Sequence, residues 1–144
     1  MDLNDLSELK PPSPLRALIV DDNVDAASTL ATLVQRWGHT AMIAHSCVEA
    51  TAVAFAFKPR VVLLDLGLPD HHGYDLADML RKQAGKDKLY FIAVTGWDHE
   101  EDHIRSVLSG IPHHLVKPVP LDILRELLAA YAVTCDEAEE TQSA

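Results

Sequence analysis

The chain is poor in the features that mark a protein for export, for the membrane or for nucleic acid. It has only two cysteines, Cys47 and Cys135, far apart and without metal-type spacing. Neither a disulfide framework nor a zinc module can be built from them, and free thiols in a reducing cytosol are the simplest reading. No apolar run approaches 18 residues and no basic-then-apolar leader opens the chain. A membrane span and a secretory signal are therefore not expected, and a cytoplasmic location is. Positive charge is scarce: 12 Lys and Arg stand against 22 Asp and Glu, a formal net charge of −10. That balance argues against a nucleic-acid surface. Neither G-x-G-x-x-G nor G-x-x-x-x-G-K-[ST] occurs, so nothing beyond fold-level analogy points to a nucleotide or flavin binder.

What is present fits one domain. The 144 residues are 48% apolar and 24% charged, as in ordinary globular proteins, and are enough for a core without staples. Residues 1–14, with Pro11, Pro12 and Pro14, read as an N-terminal tail in which Leu3, Leu6 and Leu9 have the spacing of a short helical turn. Residues 132–144 end in CDEAEETQSA, which is acidic and lacks an apolar face, and read as a second tail. Between them, residues 15–131 alternate. Short apolar runs at 15–20, 40–44, 61–64, 89–94 and 114–116 predict strands covered on both faces. Helical spacing predicts helices over 24–37, 46–57, 74–84, 100–109 and 121–131. The first stops at Gly38 and the second opens with the capping pattern Ser46-x-x-Glu49. Five β–α units in strict alternation imply an α/β fold, a parallel sheet with helices on both faces. Ligands of such sheets bind beyond the carboxyl ends of the strands.

The residues at those ends carry the chemistry. In RVVLLDLGLPDHHGYDL (60–76) an apolar run drives straight into Asp65, which is too early to cap a helix starting near Tyr74. Asp21 and Asp22 follow the first strand, Thr95 ends the fourth, and Lys117-Pro118 follows the fifth. The second strand, ending at Ala44-His45, offers no obvious group and suits an edge. Taken singly, the aspartates could be caps, Thr95 a loop starter and Lys117 a solvated lysine. Together they are harder to dismiss. Two like charges about 4 Å apart repel by roughly 4 kcal/mol at an effective dielectric near 20. Lys117 offsets one charge, and the remainder suits a hard divalent cation such as Mg²⁺. Carboxylates, hydroxyl and ammonium at one mouth suit phosphoryl handling, and a carboxylate can accept phosphate covalently.

In this arrangement Asp21-Asp22, Asp65 in LLDLGLPDHHGYDL, Thr95 in AVTG and Lys117-Pro118 in HLVKP resemble the CheY-like receiver domain of bacterial two-component response regulators. The resemblance covers about residues 15–131. It implies a flavodoxin-like, doubly wound five-stranded parallel sheet of order 2-1-3-4-5. It implies that Asp65 is the phosphoacceptor, and that Asp21, Asp22, Asp65 and the Gly67 carbonyl hold Mg²⁺ or Mn²⁺. Lys117 would pair with phosphoryl oxygens, Thr95 would hydrogen-bond them, and Lys117-Pro118 would be cis. The family's usual Tyr or Phe three residues before the lysine is His114 here, a departure at the aromatic switch position. Gly67 and Trp97, on the site rim, stand where the family sets phosphate lifetime. Gly73 reads as structural, where the chain must turn.

The eight histidines raise a zinc alternative, with His99 and His103 four apart and the pairs His71-His72 and His113-His114. No third ligand has convincing spacing, so solvated or loop roles are expected. An Asp-nucleophile phosphatase of the haloacid-dehalogenase kind needs an acid two residues after the nucleophile, and Gly67 cannot transfer a proton. A receiver-like interaction module without phosphorylation stays open, with His114 as its one hint. The expected partners are a sensor histidine kinase or histidine phosphotransfer protein, and a downstream protein reading the face of helix 100–109, strand five and helix 121–131. A weak homodimer is also open. A chain this long leaves no room for a DNA-binding or enzymatic output domain, so it works alone or belongs to a larger protein.

Overall fold

Each apolar run becomes a strand whose successive side chains enter opposite layers, as the two-residue period of extended chain requires. The structure, a computed structural model, describes residues 14–68, 70, 72–86, 88–96 and 111–143, with side chains to residue 134. The strands are β1 (Arg16–Val20), β2 (Thr40–Ala44), β3 (Val61–Asp65), β4 (Tyr90–Thr95) and β5 (His113–Val116). The helices are α1 (Val24–Arg36), α2 (Cys47–Phe57), α3 (Gly73–Ala84) and α4 (Leu121–Ser143). All pairings are parallel, in the order β2-β1-β3-β4-β5. This is the doubly wound sheet expected from the alternation. None of the described helices is long and apolar enough to cross a membrane.

Leu18, Val20, Val62, Leu64 and Phe91 face one layer, closed by Cys47, Ala50 and Ala54 of α2 and Leu76, Ala77 and Leu80 of α3. Ala17, Ile19, Val61, Leu63 and Ile92 face the other, closed by Ala27, Ala31 and Val34 of α1 and Leu124, Leu128 and Ala132 of α4. β3, in the middle, is buried along its whole length. The register places Val20 beside Leu64 and Asp65 beside Val94, so the strand ends finish nearly level and deliver their polar residues to one mouth.

Local signals set most helix limits. Asn23 caps α1, its side chain accepting from Ala26 N at 3.0 Å. Gly38 beyond α1 has φ of 95°, the left-handed region where glycine carries no side-chain penalty. Ser46 caps α2, accepting from Glu49 N at 3.1 Å, while Glu49 reaches back to His45 N at 3.2 Å. α4 differs from expectation. It continues twelve residues past Tyr131, through the segment read as an acidic tail, to Ser143. Ala132 still packs in the core, and beyond it Glu, Ala and Gln are strong helix formers that no Gly or Pro interrupts, so the helix continues. The helix expected at 100–109 and the tail at 1–13 lie outside the described residues.

Two contacts seat the loop between β3 and α3. Asp70 accepts from the Cys47 N–H through both carboxylate oxygens, each at 3.0 Å, and from Val48 N at 3.3 Å. It thus fastens the loop to the first turn of α2, where unpaired N–H groups and the helix dipole favour a negative charge. The Cys47 N–H bond foremost holds the Asp70 carboxyl below its ordinary range. Gly73 opens α3 against the backbone of β3's extension. A Cβ there would stand 2.9 Å from Leu66 Cα and 3.1 Å from the Asp65 carbonyl oxygen. Its glycine is required by this close approach, since its φ is not positive as those of Gly38 and Gly85 are.

Asp70→Asn is expected to lower the thermal midpoint at neutral pH. A depressed carboxyl contributes stability above its unfolded pKa, and that contribution fades as pH falls through the folded value. The gap between wild type and variant should therefore close below the ordinary carboxyl value of 3.8. An equal gap at pH 7 and pH 2 would refute the charge-based clip. For Gly73→Ala, overpacking costs about 1–3 kcal/mol and helix preference returns about 0.5–1 kcal/mol. A net loss of about 1 kcal/mol or more in urea unfolding is expected, and an unchanged midpoint would refute the close approach.

Candidate functional site

The apolar strands act as rigid stems, and the first polar residue beyond or at the end of each defines the site. Asp21 follows β1 and is 3% exposed, Asp65 ends β3 at 8%, and Thr95 ends β4 at 2%. These are the described residues that are both polar or charged and buried, and all three lie at the same end of the sheet. Asp22 is exposed beside them. One carboxylate oxygen from each of Asp21, Asp22 and Asp65 lies within 4.8 Å of the others, the one such group of possible metal ligands among the described residues.

Lys117, just past β5, reaches across the mouth. Its Nζ donates to Asp21 Oδ2 at 3.1 Å and to Asp65 Oδ2 at 3.3 Å. The other oxygens are also engaged: Asp21 Oδ1 accepts from Asn23 N and Asp65 Oδ1 from Gly67 N, each at 2.9 Å. Burial raises the Asp65 carboxyl, against the lowering effects of the Gly67 N–H and Lys117 and with the repulsion of Asp21. Burial pulls Lys117 down, but the Asp21 hydrogen bond and the charges of both aspartates outweigh it, and its net shift is upward. Three carboxylates against one ammonium leave a formal surplus of two negative charges. With carboxylate oxygens as the donors, that is the match for a hard divalent cation.

The backbone braces the mouth. Lys117 N donates to the Thr95 carbonyl at 2.6 Å, and Leu66 N continues the ladder to the Val94 carbonyl at 3.1 Å. The Lys117-Pro118 peptide is cis. Gly67 is exposed, and a Cβ there would make only ordinary contact with Asp65 Oδ1, at 3.5 Å. A side chain is thus sterically admissible at Gly67, unlike at Gly73. His114 is half-buried on β5 opposite Ala93, two positions before the Thr95–Val116 pair. Trp97 lies outside the described residues.

Two residues at the site escaped the sequence reading. The end of β2 was expected to contribute nothing, yet His45 Nδ1 lies 3.0 Å from the Asp21 carbonyl oxygen, beside the Asp21 N–H bond to the Ala44 carbonyl. Asp70 anchors the loop that carries Gly67. Its proximity to Pro69 in a loop was a turn signal only, and nothing in the local pattern pointed to α2, more than twenty positions earlier. Of the other histidines, His72 caps α3 and stacks on Tyr74 at 4.9 Å, His39 accepts from Leu15 N at 3.1 Å, and His113 meets the Tyr131 ring edge-on. Among the described residues none joins a metal-type cluster.

Known proteins resemble this chain in sequence and fold. The sequence profile of the response regulator receiver domain matches residues 17–129. Protein PilH of Pseudomonas aeruginosa is 31% identical over 115 residues, covering 80% of this chain and 95% of that protein. Sensor histidine kinase RcsC of Salmonella typhimurium is 34% identical over 115 residues, but the match spans only 12% of its length. A CheY-like receiver domain from Methanospirillum hungatei superposes with a TM-score of 0.77 at 27% identity, over 90% of this chain and 99% of that one. With four strand ends carrying the acidic residues, the hydroxyl and the lysine on this sheet, and a family profile matched across nearly all of its folded length, the chain belongs to the response regulator receiver domain family.

Proposed function

We propose that the chain is a phosphorylatable receiver in a His-Asp phosphorelay, with Asp65 as phosphoacceptor. The observation that carries this reading is Lys117 bridging Asp21 and Asp65 inside a cluster still two charges negative. In the proposed step an Asp65 carboxylate oxygen attacks the phosphorus of a phosphohistidine. The new P–O bond forms as the P–N bond breaks, and the histidine leaves with the nitrogen electron pair. Asp21, Asp22, Asp65 and the Gly67 carbonyl would hold Mg²⁺ or Mn²⁺, which when bound would supply positive charge beside the phosphoryl oxygens. Lys117 releases its carboxylates to pair with those oxygens, and positioning with charge stabilisation supplies most of the catalysis. Thr95 donates its hydroxyl to the phosphoryl group, and His114, two positions off in register, takes the place of the family's aromatic switch.

The donor would be a sensor histidine kinase or a histidine phosphotransfer protein. The phosphorylated state would be read by a downstream protein on the face of β5 and α4, the described part of the face expected from the sequence. The chain acts as a signalling phosphoacceptor whose own chemistry is limited to gaining and losing phosphate. A match to PilH over almost its whole length suits a free-standing receiver, and the RcsC match suits a receiver carried by a kinase. A cytoplasmic site of action follows from the phosphodonors.

The direct test is intact-protein mass after incubation with acetyl phosphate, with and without Mg²⁺. A gain of one phosphate that needs Mg²⁺ and is absent in Asp65→Asn is expected. No adduct and no Mg²⁺-dependent change in thermal stability would overturn the reading of the acidic cluster. Lys117→Ala removes a charge aimed at the transferring group, for which losses of about 10²-fold in rate are usual. Its phosphorylation should slow on that scale while Mg²⁺ affinity, followed by fluorescence titration, holds or rises because the surplus negative charge grows. An unchanged rate would remove Lys117 from the site.

A further inference from the structure

The opposite end of the sheet has the reverse character. At the amino ends of the strands, between α2 and α3, lies a groove of about 450 Å³. Small side chains keep it open: Ala54 of α2 and Ala84 of α3 line it, and Leu80 and Leu89 complete its apolar floor. Gln83 ties the two helices together beside it, its Nε2 donating to the Thr51 carbonyl at 3.1 Å. The rim is basic, formed by Arg16, Lys58 and Arg60. It is also built: Arg16 Nε donates to the Lys58 carbonyl at 2.8 Å, and Lys58 is the left-handed C-cap of α2, with φ of 53°. Among the described residues no carboxylate lines the groove. An adjoining depression shares Leu89 and adds Arg81, Lys86 and Lys88, so a chain with 12 cations against 22 acids has placed half of its cations at one foot.

α2 supplies a second, independent observation. In CVEATAVAFAF only Glu49 is charged, and a helix apolar all round is normally covered on every side. Here Val48, Ala52, Phe55 and Ala56 are exposed, at the spacing of a single helical stripe. Phe55, 74% exposed, stands where that stripe meets the groove. An apolar stripe running into a groove marks a contact surface, and the rim says which partner suits it. A second copy docked face to face would set one basic rim against another, because such a contact uses the same patch twice. A flat lipid surface would not reach the groove floor. An amphipathic helix lays its side chains into such a groove, and acidic flanks answer the rim.

We propose that the groove between α2 and α3 is a docking site for an acidic amphipathic helix of a partner protein. The partner's apolar side chains lie on Phe55, Leu80 and Leu89, and its carboxylates face Arg16, Lys58 and Arg60. The rim charges speed encounter and select an acidic partner, and Phe55 is the aromatic anchor. The docked helix covers the end of the sheet remote from Asp65 and leaves the acidic mouth open.

Fluorescence anisotropy with the full chain tests this. The probe is a fluorescein-labelled model helix with leucine along one face and glutamate on both flanks, and its control is the same helix with lysine in place of glutamate. The glutamate helix should bind about tenfold more tightly than the lysine helix, and Lys58→Glu/Arg60→Glu should reverse that order. Phe55→Ser should weaken the glutamate helix about tenfold, the scale of an aromatic anchor. Two arms need no variant to fold. Raising salt from 0.05 M to 1 M should weaken binding to the wild-type chain, because the Debye length shrinks to about 3 Å. Hydrogen exchange of the wild-type chain should slow over residues 54–58 and 80–84 when the glutamate helix is added, and stay unchanged at the acidic mouth. No binding, equal binding of the two helices, or protection outside the groove would each overturn the proposal. So would tighter binding to vesicles of phosphatidylcholine and phosphatidylglycerol than to the helix, which marks a membrane as the occupant, or a dimer lost in Phe55→Ser, which marks a second copy.

Discussion

One ammonium group held between two buried carboxylates organises the mouth of this sheet. Asp21 and Asp65 are almost wholly withdrawn from water, and two unpaired charges at that depth would be driven to protonate. Lys117 bonds both while remaining about one-third exposed, so it compensates the pair without itself being sealed in. The compensation is incomplete, and it leaves the cluster two formal charges negative. A fully neutralised cluster would have no use for a cation, and an uncompensated one would not stay ionised. The Asn23 and Gly67 N–H groups take the outer lone pairs of the same carboxylates and hold the arrangement in register with the backbone.

How much of this was legible depended on whether the signal was local. Strand identity was, because a parallel strand covered on both faces must be an unbroken apolar run, and Val61–Leu64 could be little else. The polar residue closing each run then identified itself by position, which is why Asp21, Asp65, Thr95 and Lys117 could be named before any geometry. The partners that come from other elements were not legible. His45 looked inert because its contact is with a main-chain carbonyl, and any residue has one of those. Asp70 drew no attention because its partners, the Cys47 and Val48 N–H groups, belong to a helix earlier in the chain. Gly73 was read as structural at a turn, but the lack of space beside Leu66 was not legible, because the approach of two backbone segments leaves no trace in a single sequence. The end of α4 was misjudged because the loss of an apolar pattern was read as the end of the helix, whereas helix-forming residues without Gly or Pro carry it on.

The fold also polarises the molecule. Acids gather at the carboxyl ends of the strands and bases at the amino ends, on opposite sides of the same hydrophobic layers. The two α2 termini illustrate this: its first turn faces the Asp70 carboxylate, and its last residue precedes Lys58 on the basic rim. The separation keeps the cations at the foot from competing with Lys117 for the carboxylates at the mouth, since more than one Debye length of about 10 Å at 0.1 M salt lies along a strand of five or six residues.

Lys117 meets Asp65 across 52 positions of sequence and Asp21 across 96. β1 and β5 never touch; they are joined only through β3 and β4. The site therefore needs β1, β3, β4 and Lys117 beyond β5 together, and no fragment or intermediate lacking one of them assembles it. The Lys117 bridge is thus a certificate of an assembled sheet: a half-folded copy carries every aspartate but lacks the lysine contact that joins them.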